Sequence, residues 1–129
     1  MGYRSDVYLK TTKEGYKALD EYIKRRSELG YELWNTPDAI YVERDCITVE
    51  WTYLKWYMEY EDVRTIDNAI DELSDKYPIH FIRIGENMED IDDRWYYPDD
   101  YDGDFEPLEL VRTVCTSGDK VKKEELFNE

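Results

Sequence analysis

Residues able to do chemistry crowd into one stretch, from Glu86 to Glu106. Ten acidic side chains stand there (Glu86, Glu89, Asp90, Asp92, Asp93, Asp99, Asp100, Asp102, Asp104 and Glu106) against one cation, Arg94, a local sum of -9. Five rings, Trp95, Tyr96, Tyr97, Tyr101 and Phe105, are interleaved with them. Rings supply contact area at low entropic cost, and carboxylates steer a basic partner towards them. The pattern therefore predicts a protein-binding surface made of Trp95, Tyr96, Tyr97, Asp99, Asp100, Tyr101, Asp102, Asp104 and Glu106. The plain alternative is a solvated acidic loop whose rings pin it to the fold.

The same carboxylates suggest a cation site. With Gly103 as the sixth position of a calcium loop, Asp100, Asp102, Asp104, Glu106 and Glu109 fall at positions three, five, seven, nine and twelve. Position one is then Pro98, which has no ligand atom in its side chain, and Pro107 stands where the exiting helix should begin. No dedicated metal ligand is assigned; loose cation binding by clustered carboxylates is the stronger form of this reading.

Enzyme signatures are missing. The single histidine, His80, lies in an apolar run and reads as a core or rim residue, and there is neither a glycine-rich phosphate loop nor a Cys/His pair at zinc spacing. Carboxylate pairs are too numerous to identify a glycosidase-like acid and base. No catalytic residue and no cofactor are expected. A carboxylate-bound divalent metal between Asp90 and Asp104 is the one enzymatic route left, and chelation would abolish it. Arg4, Asp6, Arg83 and Glu86, beside short strands, are expected to form an ion-pair network worth about 0 to 1 kcal/mol per exposed pair. Trp51, Trp56 and Tyr57 read as packing.

The elements that must position these groups follow from periodicity. Ser5 to Lys10 alternates as a half-buried strand. Thr11 and Glu14 stand at capping-box spacing, and Tyr16, Leu19, Tyr22, Ile23 and Leu29 recur at helical steps, predicting a helix that stops near Gly30. Its outer face carries Lys13, Lys17, Lys24, Arg25 and Arg26, the one concentrated basic surface. Asn35-Thr36-Pro37-Asp38 signals a turn; Ala39 to Glu43 and Cys46 to Trp56 then form a hairpin about Arg44-Asp45. A second helix is predicted over 63–77, ended by Pro78, followed by strands at Ile79 to Ile84 and Leu108 to Cys115. Strand, helix, hairpin, helix, strand is the order of a ferredoxin-like split βαβ layout. The expected architecture is an α+β two-layer sandwich, two helices on one face of a mostly antiparallel sheet, with an additional strand. Residues 1–115 make one domain with the acidic aromatic insertion at 86–106, and 116–129 is a polar tail, frayed helix or disordered.

The chain's 129 residues suit a single core, and 16% aromatic residues are more than a disordered acidic chain would carry. A net charge of -15 repels phosphate backbones, so direct nucleic-acid binding is not expected. No apolar run approaches the roughly 20 residues of a membrane span, and the start lacks a signal-peptide core, which predicts a cytoplasmic protein. Cys46 and Cys115 lie far apart in strand-like runs and are expected as buried thiols rather than a disulfide.

Gly2-Tyr-Arg-Ser-Asp-Val7, Lys55-Trp-Tyr57, Phe81-Ile-Arg-Ile-Gly-Glu86 and Glu89-Asp-Ile-Asp92 together resemble a family of small acidic bacteriophage and prophage proteins, without an assigned activity. The likeness runs from the amino terminus to Cys115; Asp99 to Glu106 and the tail depart from it. The resemblance implies no catalytic residues. It implies a non-enzymatic interaction protein in the host bacterial cytoplasm, an inhibitor of a host defence or nucleic-acid-handling protein with a basic surface. The alternatives are a small-ligand or divalent-metal-binding module, and a phage structural or assembly component that forms a homo-oligomer.

Overall fold

A computed structural model describes residues 3–127 apart from 88, 100, 102, 104, 111–113 and 116–117. The first strand, β1, spans Ser5–Thr12 and leads into α1, Lys13–Arg26. The cap is Thr12 rather than Thr11: Thr12 Oγ1 accepts the Gly15 N–H at 3.0 Å, while the Thr11 hydroxyl donates to the Pro78 carbonyl at 2.9 Å. The expected single helix to Gly30 is two. Ser27 is extended and closes α1, and its Oγ accepts the Gly30 N–H at 3.0 Å to cap α2, Glu28–Trp34. Gly30 therefore lies inside a helix, where a Cβ would come within 2.9 Å of the Thr65 side chain on the neighbouring helix.

The hairpin forms as expected from β2, Ala39–Glu43, and β3, Cys46–Leu54. The helix expected at 63–77 is α3, Glu61–Leu73, which starts two residues and ends four residues earlier, and chain turns fill the gap to Pro78. Next comes β4, Ile79–Gly85. The expected strand at Leu108 to Cys115 does not join the main sheet: among the described residues it contributes a two-residue ladder of β6, Glu109–Leu110, with β7, Val114–Cys115. Additional strands instead come from the acidic insertion, β5 at Ile91–Tyr96, and from the tail, β8 at Asp119–Val121. The tail is thus structured over 119–127, ending in a short 3-10 turn at Lys123–Glu125.

The main sheet is antiparallel throughout, in the order β5-β4-β1-β3-β2-β8. Its four inner strands have the order 4-1-3-2 of the split βαβ layout, and all three helices cover one face. On that face Val7, Leu9, Ile47, Val49, Trp51, Ile79 and Phe81 meet Leu19, Ile23, Ile66 and Ile70, every one essentially inaccessible. A string of rings, Tyr16–Trp34–Trp51–Trp56–Phe81, runs through this core at centroid spacings of 5.0 to 6.0 Å. Its ends are closed by cations: Arg94 lies 4.4 Å from the Phe81 centroid and pairs with Asp67 of α3 at 2.7 Å, and Lys123 lies over Tyr16 at 4.6 Å. Lys123 also bonds the Tyr16 hydroxyl and sits 3.5 Å from Asp20. Burial pushes its ammonium pKa down, with Asp20 opposing.

Candidate functional site

Among the described residues the second face of the sheet has no helix. Strand alternation puts Tyr8 and Lys10 of β1, His80, Ile82 and Ile84 of β4, Cys46, Thr48 and Glu50 of β3, and Asp93 and Trp95 of β5 on it. Across one register row stand Trp95, His80, Lys10, Thr48, Tyr41 and Lys120. Phe105 and Leu108, in the loop beyond β5, fold back over the part of this face around Tyr8, Lys10, Ile82 and Trp95. Leu108 packs on Tyr8 and Ile82, and Phe105 is 7% exposed, its ring 5.7 Å from Trp95. Among the described residues this loop is the cover that helices provide on the other side.

His80 ties the loop down. Its Nδ1 accepts the Leu108 N–H at 2.9 Å, and its Nε2 lies 2.6 Å from Asp93 Oδ1. An accepting Nδ1 places the neutral ring's proton on Nε2, which donates to the carboxylate. Both nitrogens are occupied, so the sole histidine is a structural clamp in this arrangement. The expectation of a core or rim histidine fits its 4% exposure.

Trp95 and Tyr97 stack at 6.2 Å with their planes 5° apart, and 40% and 42% of them are exposed. Tyr101 meets Tyr97 edge-on at 5.5 Å, and the Tyr97 hydroxyl donates to the Gly103 carbonyl at 2.9 Å. Asp93, Asp99 and Glu106 are exposed around this pair. Tyr96 belongs to the opposite side: strand alternation packs it against the helix-face core. Asp100, Asp102 and Asp104 lie outside the described residues, and with them the calcium register. The strands β5 and β6 flank that register where a calcium loop needs helices. No group of three metal-ligating side chains occurs among the described residues.

The expected network around Arg4, Asp6, Arg83 and Glu86 is redistributed. Arg83 grips Asp90 with two nitrogens at 2.8 and 3.2 Å, and Tyr3 donates to the same carboxylate at 2.8 Å. These bonds hold the Asp90 carboxyl below its usual range. Glu86 accepts the Arg4 backbone N–H, Arg4 lies over the Tyr53 ring, and Asp6 accepts the Tyr53 N–H. Tyr53 has a φ of +54° beside a register shift between β1 and β3, a bulge that turns its ring outward, 71% exposed.

Sequence reasoning missed Lys10, a strand residue buried beneath the loop. It also missed the position of Cys46, a free thiol that is half-buried rather than buried; the Cys115 side chain lies outside the described residues. Burial pushes the Cys46 thiol up, with Lys10 opposing, so it is no activated nucleophile. The alternation of Asp6, Tyr8 and Lys10 marks a second face, but their cover lies some ninety residues away in sequence. No helix among the described residues is long and apolar enough to cross a membrane. No family model, no curated protein and no solved structure matches this chain, so its chemistry is read from its own residues.

Proposed function

We propose that the protein is a non-enzymatic interaction module that docks on a basic surface of another protein through Trp95, Tyr97 and the carboxylates about them. The observation that carries this reading is the parallel Trp95–Tyr97 pair, two large rings left about 40% exposed although Phe105 and Leu108 beside them are buried. Aromatic anchors surrounded by like charge have the composition of a contact surface: the rings provide the central area and Asp93, Asp99 and Glu106 the steering field. The neighbouring His80 and Phe105 hold Trp95 from beneath, at 5.1 and 5.7 Å, so little order remains to be gained on binding.

The resemblance to phage proteins and the charge of -15 support a finer reading. The partner is a host defence or nucleic-acid-handling protein whose basic channel the acidic surface occupies, and the site of action is the host bacterial cytoplasm. Capture from bacterial lysate at about 50 and 500 mM salt tests it, because screening weakens exposed charge contacts. The reading expects one basic partner, held at low salt and lost in a variant reversed at Asp99, Asp100, Asp102 and Asp104. Association measured with that partner should slow about 10-fold or more in the variant at low salt. Unchanged binding by this variant and by Trp95→Ala would sink the proposal.

A further inference from the structure

At the Tyr16 end of the string of rings, α1 and α2 build a cation cage between them. Trp34 Nε1 donates to Asp20 Oδ1 at 3.0 Å, and the Tyr31 hydroxyl donates to Asp20 Oδ2 at 3.3 Å. The Tyr16 ring lies 5.0 Å from that of Trp34. Both helices pack into the core, so these four side chains are positioned without help from the tail. A carboxylate met by neutral donors and flanked by ring faces is the composition that recognises an organic ammonium.

Lys123 of the tail is the cation this cage holds. Its Nζ lies 4.6 Å from the Tyr16 centroid, 5.8 Å from that of Trp34 and 3.5 Å from Asp20 Oδ1, and it bonds the Tyr16 hydroxyl. The segment that delivers it is lightly attached: β8 pairs with β2 over three residues, a single 3-10 turn follows, and Val121 and Leu126 are only half-buried. The Lys123 and Asp20 side chains are 29% and 26% exposed, so the cage is open to solvent. We infer that the α1–α2 cage is a binding site for a primary alkylammonium, and that Lys123 is a tethered occupant which an outside amine displaces. Lys17 lies over Phe127 at 4.6 Å, Lys24 over Tyr31 at 6.0 Å, and Glu21 is engaged by Arg25 at 3.1 Å. A second positive charge on the ligand therefore meets like charge, which favours a monocation, free or carried as a lysine side chain. The cage stands apart from the Trp95–Tyr97 surface and does not depend on it.

Titration of the full-length chain with n-butylammonium tests it, read by the amide shifts of α1 and the Trp34 indole shift. Lys123→Ala removes the tethered competitor, whose effective concentration is on the order of millimolar or above, and should bind the amine one-to-one at least about 10-fold more tightly than the parent chain. Tetramethylammonium has no N–H for Asp20 and the Tyr16 hydroxyl and should bind that variant about 5-fold more weakly. Asp20→Asn added to Lys123→Ala should cost about 10-fold. Nα-acetyllysinamide, compared with n-butylammonium, separates the two sources: either order supports the site, and the tighter ligand names the source. Should Lys123→Ala fail to fold, the parent chain decides: about 100 mM amine is expected to accelerate amide exchange across β8, saturably, as the tail is displaced. The inference is overturned by no saturation up to about 10 mM in Lys123→Ala, by equal binding of tetramethylammonium, by unchanged affinity on Asp20→Asn, or by unaltered β8 exchange in the parent chain. Failure of the lysate capture would leave these titrations untouched, and their failure would leave the Trp95–Tyr97 proposal standing.

Discussion

The two faces of one sheet are covered by different means. On the helix face, α1, α2 and α3 seal an apolar core in which the inner residues of β1, β3 and β4 are almost wholly inaccessible. On the other, a loop does the covering, with Tyr8, Ile82, Leu108 and half-buried Ile84 as a small apolar cluster among the described residues, and with His80, Lys10, Thr48 and Glu50 among the side chains below or beside it. A helix satisfies its own backbone and presents a continuous stripe. A loop must borrow partners, as the Leu108 N–H borrows His80 Nδ1. The lesson is a division of labour: stability resides on the helix face, whereas the polar groups and exposed rings able to meet a protein partner gather where the cover is less complete.

Truncation on each side is the strongest way to break this comparison. Ile70→Ala, at a position with no exposure in α3, should cost about 3 to 4 kcal/mol, because the cavity is enclosed by packed helices and strands. Leu108→Ala, 6% exposed at the end of a covering loop that can settle, should cost about 2 kcal/mol. Denaturant titration of both variants checks the ranking, and equal losses would mean that the open face is as tightly built as the other.

Replacing the clamp sharpens it. His80→Phe removes the acceptor for the Leu108 N–H and the partner of Asp93, and should cost about 1 to 2 kcal/mol. Amide exchange is expected to accelerate at Phe105, Glu106 and Leu108 while the amides of α3 keep their relative protection. Uniform acceleration would show that the loop and the helix face open as one unit.

The smallest effect is expected at Glu50, an acid of the open face. Burial first, then Asp38 and Asp6, push its carboxyl pKa up, with Lys120 opposing. The sign follows from the raised value: the folded state holds the proton more tightly than the unfolded one. Glu50's unfavourable contribution is therefore absent below its unfolded pKa and grows as pH rises through the folded value. Glu50→Gln should stabilise the protein by under about 1 kcal/mol at neutral pH and give no gain in acid, as thermal melts at several pH values would report.

Much of the framework was legible because it is written in local periodicity. The alternation at Val7 and Leu9, the Ile47-Val49-Trp51 run and the Val63-Ile66-Ile70 stripe each point one face inward, and β1, β3 and α3 follow them. The break between α1 and α2 was also available, since Ser27 followed by Glu28 is an N-cap with an acid in the first turn. It was obscured by Gly30, whose usual meaning is a helix stop but whose role is close approach to Thr65. The acidic density of 86–106 concealed β5, because Asp92, Asp93 and Arg94 do not resemble strand residues until Arg94 finds Asp67 and Phe81.

By itself the sequence determined the charge, the period of β1, β3 and α3, and the ferredoxin-like order of the inner elements, because each depends on residues near one another in the chain. Tertiary structure alone decided that His80 clamps Leu108, that the tail supplies an edge strand, and that Lys10 is buried beside the Phe105 ring. Each of these depends on which distant segment covers a given face. That choice is made by the free energy of packing and of satisfying buried polar groups across the whole fold.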